Sequence, residues 1–216
     1  MASNAPLARV SATRGDRRGA SMAALLDATA EILSEATRIE ASLSEISKRS
    51  KVNSAMVKYY FGDKEGLFLA LLDREAEMAM KSLSELVSMD MPATRKLKIH
   101  IQGIVNSYYR SPYLNRLIHY VVESGRPEAS ARVSKVFIEP MMDAYRVIVA
   151  QGVVEGTLID VDPGLLYYAL VGSADHIFFA SYSVPTTLGV PVMDAGIKQK
   201  YTDLICNTFL KGLRPD

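Results

Sequence analysis

Cysteine is almost missing from this sequence: Cys206 is the one thiol in 216 residues. A single thiol excludes an internal disulfide and any cysteine-built metal cluster. Cys206 lies among Leu204, Ile205, Phe209 and Leu210, and reads as a small buried hydrophobe. Histidine is nearly as scarce. His100, His119 and His176 are neither four apart nor near the cysteine, so no metal site is expected. There is no apolar run near ~18 residues and no secretory leader, so no membrane span is expected and the chain reads as cytoplasmic. No HExxH, no Gly-Lys-Ser/Thr phosphate loop, no nucleophile elbow and no GxGxxG occur. The expectation is therefore a protein that is not an enzyme and needs no cofactor.

An excess of charge is missing too. Lys and Arg number 25 against 24 Asp and Glu, so the chain as a whole is not a polyanion binder. Any nucleic-acid surface must be local. One local excess exists: Arg9, Arg14, Arg17 and Arg18 face a single acid, Asp16. Residues 1–19 thus read as a basic, flexible N-terminal arm, which taken alone could be no more than a solvated tail.

Glycine and proline are few, and what fills the space is helical periodicity. Hydrophobic residues make up 49% of the chain, enough for a packed core. Met22, Leu25, Leu26, Thr29, Ile32 and Leu33 recur at spacings of three and four, which predicts a helix over about 20–37. Ser42-Leu43-Ser44-Glu45 has the form of a capping box and opens a short helix over about 43–50. After a turn at Lys51-Val52-Asn53, Asn53 caps a third helix over about 54–60. Gly62-Asp63 ends it, and Asp63 caps a long helix over about 64–88. Pro92, Pro112, Pro127 and Pro163 each fit a first helical position and open helices over about 93–109, 112–123, 127–154 and 163–183. A last helix runs over about 194–211, and Pro140 should kink or split the third of these. No segment alternates with a period of two, so the fold class is all-α.

Two short capped helices joined by a tight turn form a helix-turn-helix. The second can enter the major groove if one of its faces is left free. On 54–60, Val57, Tyr60 and Phe61 are the inward anchors and Met56 could go either way. Ser54, Ala55, Lys58 and Tyr59 face out. Small residues at the helix start allow close approach to base edges, while Lys58 and a tyrosine hydroxyl can hold phosphate. Lys64 sits in the first turn of the next helix, where backbone amides favour an anion.

The run Leu43-Ser44-Glu45-Ile46-Ser47, Val52-Asn53 and Tyr59-Tyr60-Phe61-Gly62-Asp63-Lys64-Glu65-Gly66-Leu67 resembles the N-terminal domain of the tetracycline-repressor (TetR) family. The aromatic-Phe-x-x-Lys-Glu-x-Leu tail is its most specific part, and the match spans about residues 20–70. The resemblance implies a helix-turn-helix DNA-binding domain at 20–66, a linking helix at 64–88 and a helical effector-binding and dimerisation body at 67–216. It places Ser42 and Ser44 near phosphate and Ser54, Ala55 and Met56 toward bases. Lys58, Tyr59 and Lys64 would grip the backbone, with Lys51 and Asn53 in the turn beside them. Arg14, Arg17 and Arg18 would reach the neighbouring minor groove or phosphates. Two departures stand out. The family usually has glycine where Lys51 stands and tyrosine where Lys58 stands.

The resemblance further implies a homodimer through the last two long helices, a double-stranded, palindromic DNA operator, and release by a small hydrophobic or amphipathic effector, the behaviour of a repressor. Aromatic and methionine residues in the middle helices suit such a ligand: Tyr108, Tyr109, His119, Tyr120, Glu123, Met141, Met142, Tyr145 and Tyr168. For any single one of these residues, the reading to beat is plain core. The competing reading is a helical small-molecule- or partner-binding protein without DNA binding.

Overall fold

The computed structural model describes residues 14–124 and 126–215, without the side chains of residues 14–16. Eleven α-helices follow one another, with no strand among the described residues. They are α1 (Arg14–Glu35), α2 (Leu43–Ser50), α3 (Ala55–Phe61), α4 (Lys64–Ser88), α5 (Ala93–Arg110) and α6 (Leu114–Glu123). Then come α7 (Pro127–Val133), α8 (Glu139–Val154), α9 (Pro163–Phe179), α10 (Val184–Leu188) and α11 (Ala195–Gly212).

Local chemistry sets most of these boundaries. Ser42 Oγ accepts from the Glu45 amide at 3.1 Å, which is half of the expected capping box. The return bond does not form; Glu45 lies in the field of Arg49, one turn on. Asp63 Oδ1 accepts from the Gly66 amide at 2.8 Å, and Asp162 and Asp194 cap α9 and α11 in the same way. Asn53 Oδ1 accepts from the Ala55 amide at 2.8 Å, so it caps α3 from one residue further back than a plain N-cap.

Four boundaries differ from expectation. α1 begins at Arg14 rather than near residue 20, so Arg17 and Arg18 are on the helix itself. α6 begins at Leu114, because Ser111–Tyr113 are used in the turn that joins it to α5. The break expected at Pro140 takes the form of a π-helical turn, Ser134–Ile138, between α7 and α8. Proline has no N–H to give the preceding turn, and a wider turn accommodates its ring. α9 stops at Phe179; a 3₁₀ turn (Ser181–Ser183) and α10 follow, with Pro185 in the first turn of α10.

α4 is the spine. Its first half joins a core made by Leu25, Leu33, Ile46 and Val57 of α1–α3 with Leu67, Phe68, Leu71 and Leu72. That core continues into Leu117 and Val121 of α6, Val133 of α7 and Phe137. A second core gathers Leu97 and Ile101 of α5, Tyr145 and Ile148 of α8, Leu170 and Phe178 of α9, and Ile205 and Cys206 of α11. Cys206 is therefore buried, as its neighbours imply. Between the cores, Glu75 of α4 is buried and accepts from Ser111 Oγ at 3.0 Å and Tyr113 Oη at 3.1 Å.

Three further ties fasten α6 and the start of α7 to the end of α1 and the first turns of α4. Arg116 Nη2 donates to the Ala36 carbonyl at 3.1 Å. The Tyr120 ring meets the Phe68 ring edge-on at 5.6 Å. Arg126 Nη2 lies 2.7 Å from Asp63 Oδ2 and 3.6 Å from Glu65. The Arg126 guanidinium, with the Gly66 amide, holds the Asp63 carboxyl below its usual range.

Candidate nucleic-acid interface

On the second short helix, exposure follows the sequence reading at Ala55, Lys58 and Tyr59 and departs from it at Ser54, which was expected to face out. Val57 is buried, and Met56, Tyr60 and Phe61 are half-buried against the core. Tyr59 is 70% exposed, and Ala55 and Lys58 are exposed with it. Ser54 is half-buried at the helix start. The seven residues from Ala55 to Phe61 thus divide into an anchored side and a free side.

Gly66 explains how tightly the next helix follows. A Cβ there would sit 1.9 Å from the Phe61 carbonyl oxygen, so only glycine lets the end of α3 lie against the first turn of α4. Gly62 turns the chain between them with φ 82°. Lys64 is carried in that first turn, with Nζ 5.8 Å from the Phe68 ring centroid. The ammonium thus lies over the ring face, and the side chain is half-buried.

Two grooves lie on this region, and one of them runs along the free side of α3. One, of about 1060 Å³, is lined by Arg17, Arg18 and Ser21 of α1 and by Ala55, Met56, Tyr59 and Tyr60. The Arg18 guanidinium lies 5.8 Å from the Tyr60 ring centroid. Both arginines are exposed, and α1 aims them toward α3. The Arg14 side chain lies outside the described residues. The other groove, of about 520 Å³, brings Ser42 and Lys64 together with Arg38 and Tyr120. Ser44, Lys51 and Asn53 are exposed on the same helix-turn-helix. Lys51 holds the left-handed conformation, φ 58°, that glycine would adopt at no steric cost. Arg38 was missed by sequence reasoning: it stands in the α1–α2 loop, and only its basic side chain next to Ser42 could have flagged it. Arg49 is held back from such a surface by Glu35 at 2.7 Å and Glu31 at 3.9 Å.

This arrangement has the elements of duplex readout. Small residues head an exposed helix, hydroxyl and ammonium groups flank them, and guanidinium groups stand to one side. Nothing in it resembles a catalytic centre, and no cluster of His, Cys, Asp and Glu among the described residues could hold a metal ion. No helix among the described residues is long and apolar enough to cross a membrane.

The residues expected to line an effector site are scattered by the fold. Tyr108 and Tyr145 come together in the second core, with Met141 packed against it. Met142 is half-buried on α8. Tyr120 belongs to the first core instead, on Phe68. Tyr109, His119, Glu123 and Tyr168 are exposed. Tyr109 carries Lys198 over its ring at 5.3 Å.

Sequence reasoning missed the polar partners of the buried pair. His100 Nε2 shares a 3.0 Å hydrogen bond with Tyr145 Oη. Burial lowers the His100 pKa to about 4 and pushes the Tyr108 and Tyr145 hydroxyls well above the usual phenol range. Tyr167 and Asp175 of α9 and Tyr201 of α11 complete the group.

Comparison with known proteins agrees with both halves of the chain. The family profile "Bacterial regulatory proteins, tetR family" matches residues 25–71. The profile "Tetracyclin repressor-like, C-terminal domain" matches residues 90–215. The HTH-type transcriptional regulator RutR of Escherichia coli K12 is 24% identical over 200 residues, which cover 92% of this chain and 91% of that protein. A TetR/AcrR-family regulator from Thermobifida fusca superposes with a TM-score of 0.66 at 21% identity, over 93% of this chain and 100% of that one. The regulator FadR of Bacillus subtilis, in complex with stearoyl-CoA, gives 0.65 at 15% identity, over 85% and 97%. The chain belongs to the tetR family of bacterial regulatory proteins, as a helix-turn-helix DNA-binding transcriptional regulator and not an enzyme.

Proposed function

We propose that the chain acts as a repressor: it binds a palindromic operator as a homodimer and leaves it when a small hydrophobic or amphipathic effector enters the body. Residues 20–66 are read as the DNA-binding head, residues 67–216 as the body, and α4 as the rigid link. In the head, Ser54, Ala55 and Met56 face bases. Ser42, Ser44, Lys51, Asn53, Lys58, Tyr59 and Lys64 meet the backbone. Arg17 and Arg18 reach the adjoining phosphates or minor groove from α1 rather than from a loose arm.

The observation that carries the dimer is the outward stripe of α9. Leu165 is 70% exposed, Tyr168 75% and Phe179 53%, and Tyr182 just beyond the helix is 85% exposed. Ala169 and Gly172 lie exposed between them. Phe178 is buried while its neighbour Phe179 faces out, the division expected of adjacent residues with two different partners. Leu204 of α11 is exposed as well. A second copy would bury this stripe, with the small residues allowing close helix approach. Two recognition helices then read half-sites about 34 Å apart, or a multiple of that.

Effector control follows as a population shift. A ligand that binds better to a different spacing of the two heads lowers operator affinity by the ratio of those affinities. The B. subtilis regulator of this fold forms a complex with stearoyl-CoA, which supports reading this chain as ligand-responsive. The test is a genome-wide selection for bound duplexes, followed by affinity measurements over a salt series. A palindromic site bound by two chains, with a steep salt dependence and a specific component, supports the reading. Binding as a single chain, or indifference to sequence at every salt concentration, overturns it.

A further inference from the structure

Lys64, read above as a holder of backbone phosphate, stands between two acids, Asp63 and Glu65. Asp63 cannot swing away from the start of α4, because its Oδ1 accepts from the Gly66 amide at 2.8 Å. One cation against two anions leaves this segment net negative, at the very turn whose backbone amides would otherwise attract an anion. Left to themselves, the two carboxylates would repel an approaching phosphate or draw Lys64 into an ion pair.

A residue from the body takes up both acids instead. Arg126, in the turn between α6 and α7, places Nη2 2.7 Å from Asp63 Oδ2 and 3.6 Å from Glu65 Oε2. Glu128, at the start of α7, also lies in the field of this guanidinium. Among the described residues Lys64 forms no ion pair, and its Nζ lies over the Phe68 ring. Arg38, which shares the groove of Ser42 and Lys64 with Glu40, is also without an ion pair among those residues. The fold thus spends a distant arginine on the acids and leaves the cations of the groove free.

We propose that Arg126 is a screening residue of the DNA interface: it neutralises Asp63 and Glu65, so that a backbone phosphate can settle on Lys64 and the first turn of α4. In this role it touches the two carboxylates and not the DNA. The proposal rests on the reading of Lys64 as a phosphate ligand, and adds a residue of the body that sets how well that ligand works. Its three partners are partly exposed, so the pair adds little to the stability of the fold. A phosphate is different, because it arrives within the Debye length of both acids, about 10 Å at 0.1 M salt. The charge presented by the head is therefore completed by the turn that follows α6.

The test is a double-mutant cycle on the full chain, read as affinity for a random-sequence duplex across a salt series. Its arms are wild type, Arg126→Gln, the pair Asp63→Asn with Glu65→Gln, and that pair with Arg126→Gln added. Asparagine caps a helix as well as aspartate does, so the start of α4 is kept. Arg126→Gln should weaken binding by about three- to tenfold at low salt, and by less as salt rises. In the chain without the two carboxylates the same substitution should cost nothing. The carboxylate pair alone should bind more tightly than wild type, a comparison that stands even if Arg126→Gln does not fold. Arg132→Gln serves as the control: it breaks a similar pair, with Asp73 at 2.6 Å, roughly 15 Å further along α4, and should leave binding unaltered. Unchanged binding by folded Arg126→Gln overturns the screen. So does an equal loss in the chain without carboxylates, which would mean that Arg126 grips DNA or holds the turn, and so does the absence of any gain in the carboxylate pair. A wild type that ignores every duplex sinks the repressor reading and the screen together. A wild type that binds duplex while ignoring the state of Arg126 sinks the screen alone.

Discussion

Lys51 stands at φ 58°, a left-handed conformation that costs a side-chain-bearing residue about 1–2 kcal/mol. Glycine there would remove that strain but give back about 0.5–1 kcal/mol of chain entropy in the unfolded state. Lys51→Gly should therefore stabilise the protein by about 0.5–1 kcal/mol in a denaturant titration. If Lys51 also meets a phosphate, the same variant binds DNA more weakly, so stability and affinity move in opposite directions. Lys58 and Lys64 make a cleaner case, because both sit in unstrained helix. Lys58→Ala and Lys64→Ala should each flatten the plot of log affinity against log salt by about one, with helicity unchanged. A variant that lost affinity with an unaltered slope would show that its lysine holds no phosphate. His100 carries a third expectation at this scale. The unfolded chain protonates it near 6.5, the folded one only at about 4 because it is desolvated. Stability from keeping it neutral is complete above pH 6.5 and falls as pH drops through that window, by roughly 3 kcal/mol in all. Unfolding free energies measured between pH 7 and pH 4 should show that loss, and His100→Gln should lack it.

At the scale of elements, the joint between α3 and α4 is the least forgiving. Gly66→Ala would drive a methyl group into the Phe61 carbonyl, and the backbone of the recognition helix would have to move. The expected cost is about 2–3 kcal/mol by thermal melting, with a loss of DNA affinity larger than that of any single phosphate contact. Wild-type stability in this variant would mean that α3 can shift freely, and the argument for a fixed reading face would go with it. This joint was legible in the sequence because its causes are local. A glycine pair, a capping aspartate and an aromatic pair lie within eight residues. The free side of α3 was legible for the same reason. Partners far along the chain were not. The first amide of α5 is capped by the Glu155 carboxylate at 3.0 Å, and the buried Lys96 ammonium is shared between the Val87 carbonyl and Gln151. Nothing near Ala93 or Lys96 announces residues 151 and 155. The same limit scattered the expected effector residues. Tyr109 and Tyr168 have the composition of a pocket, but their helix registers turn them outward.

Across the whole molecule, head and body are not separable pieces. One core runs from α1 to Phe137, and Arg116, Tyr120 and Arg126 fix α6 and the start of α7 against the head. A movement of α6 would therefore be felt by the turn that positions α3. Such a device is useful only if two heads are held at a set distance, and that puts the weight on the outer stripe of α9. Tyr168 and Leu165 lie on one side of its first turns, exposed and absent from either core. Glutamate at Tyr168 would place a charge in the middle of a buried self-contact, twice over because of the two-fold axis. Tyr168→Glu should sediment as a single chain at micromolar concentration, where the wild type sediments as two. Each head would keep its phosphate contacts, so binding to random duplex at low salt should change little. Affinity for the selected palindrome should fall by tenfold or more, because linked half-sites no longer act together. A Tyr168→Glu protein that stayed dimeric and gripped the palindrome as before would place the dimer contact elsewhere and remove α9 from the control of head spacing.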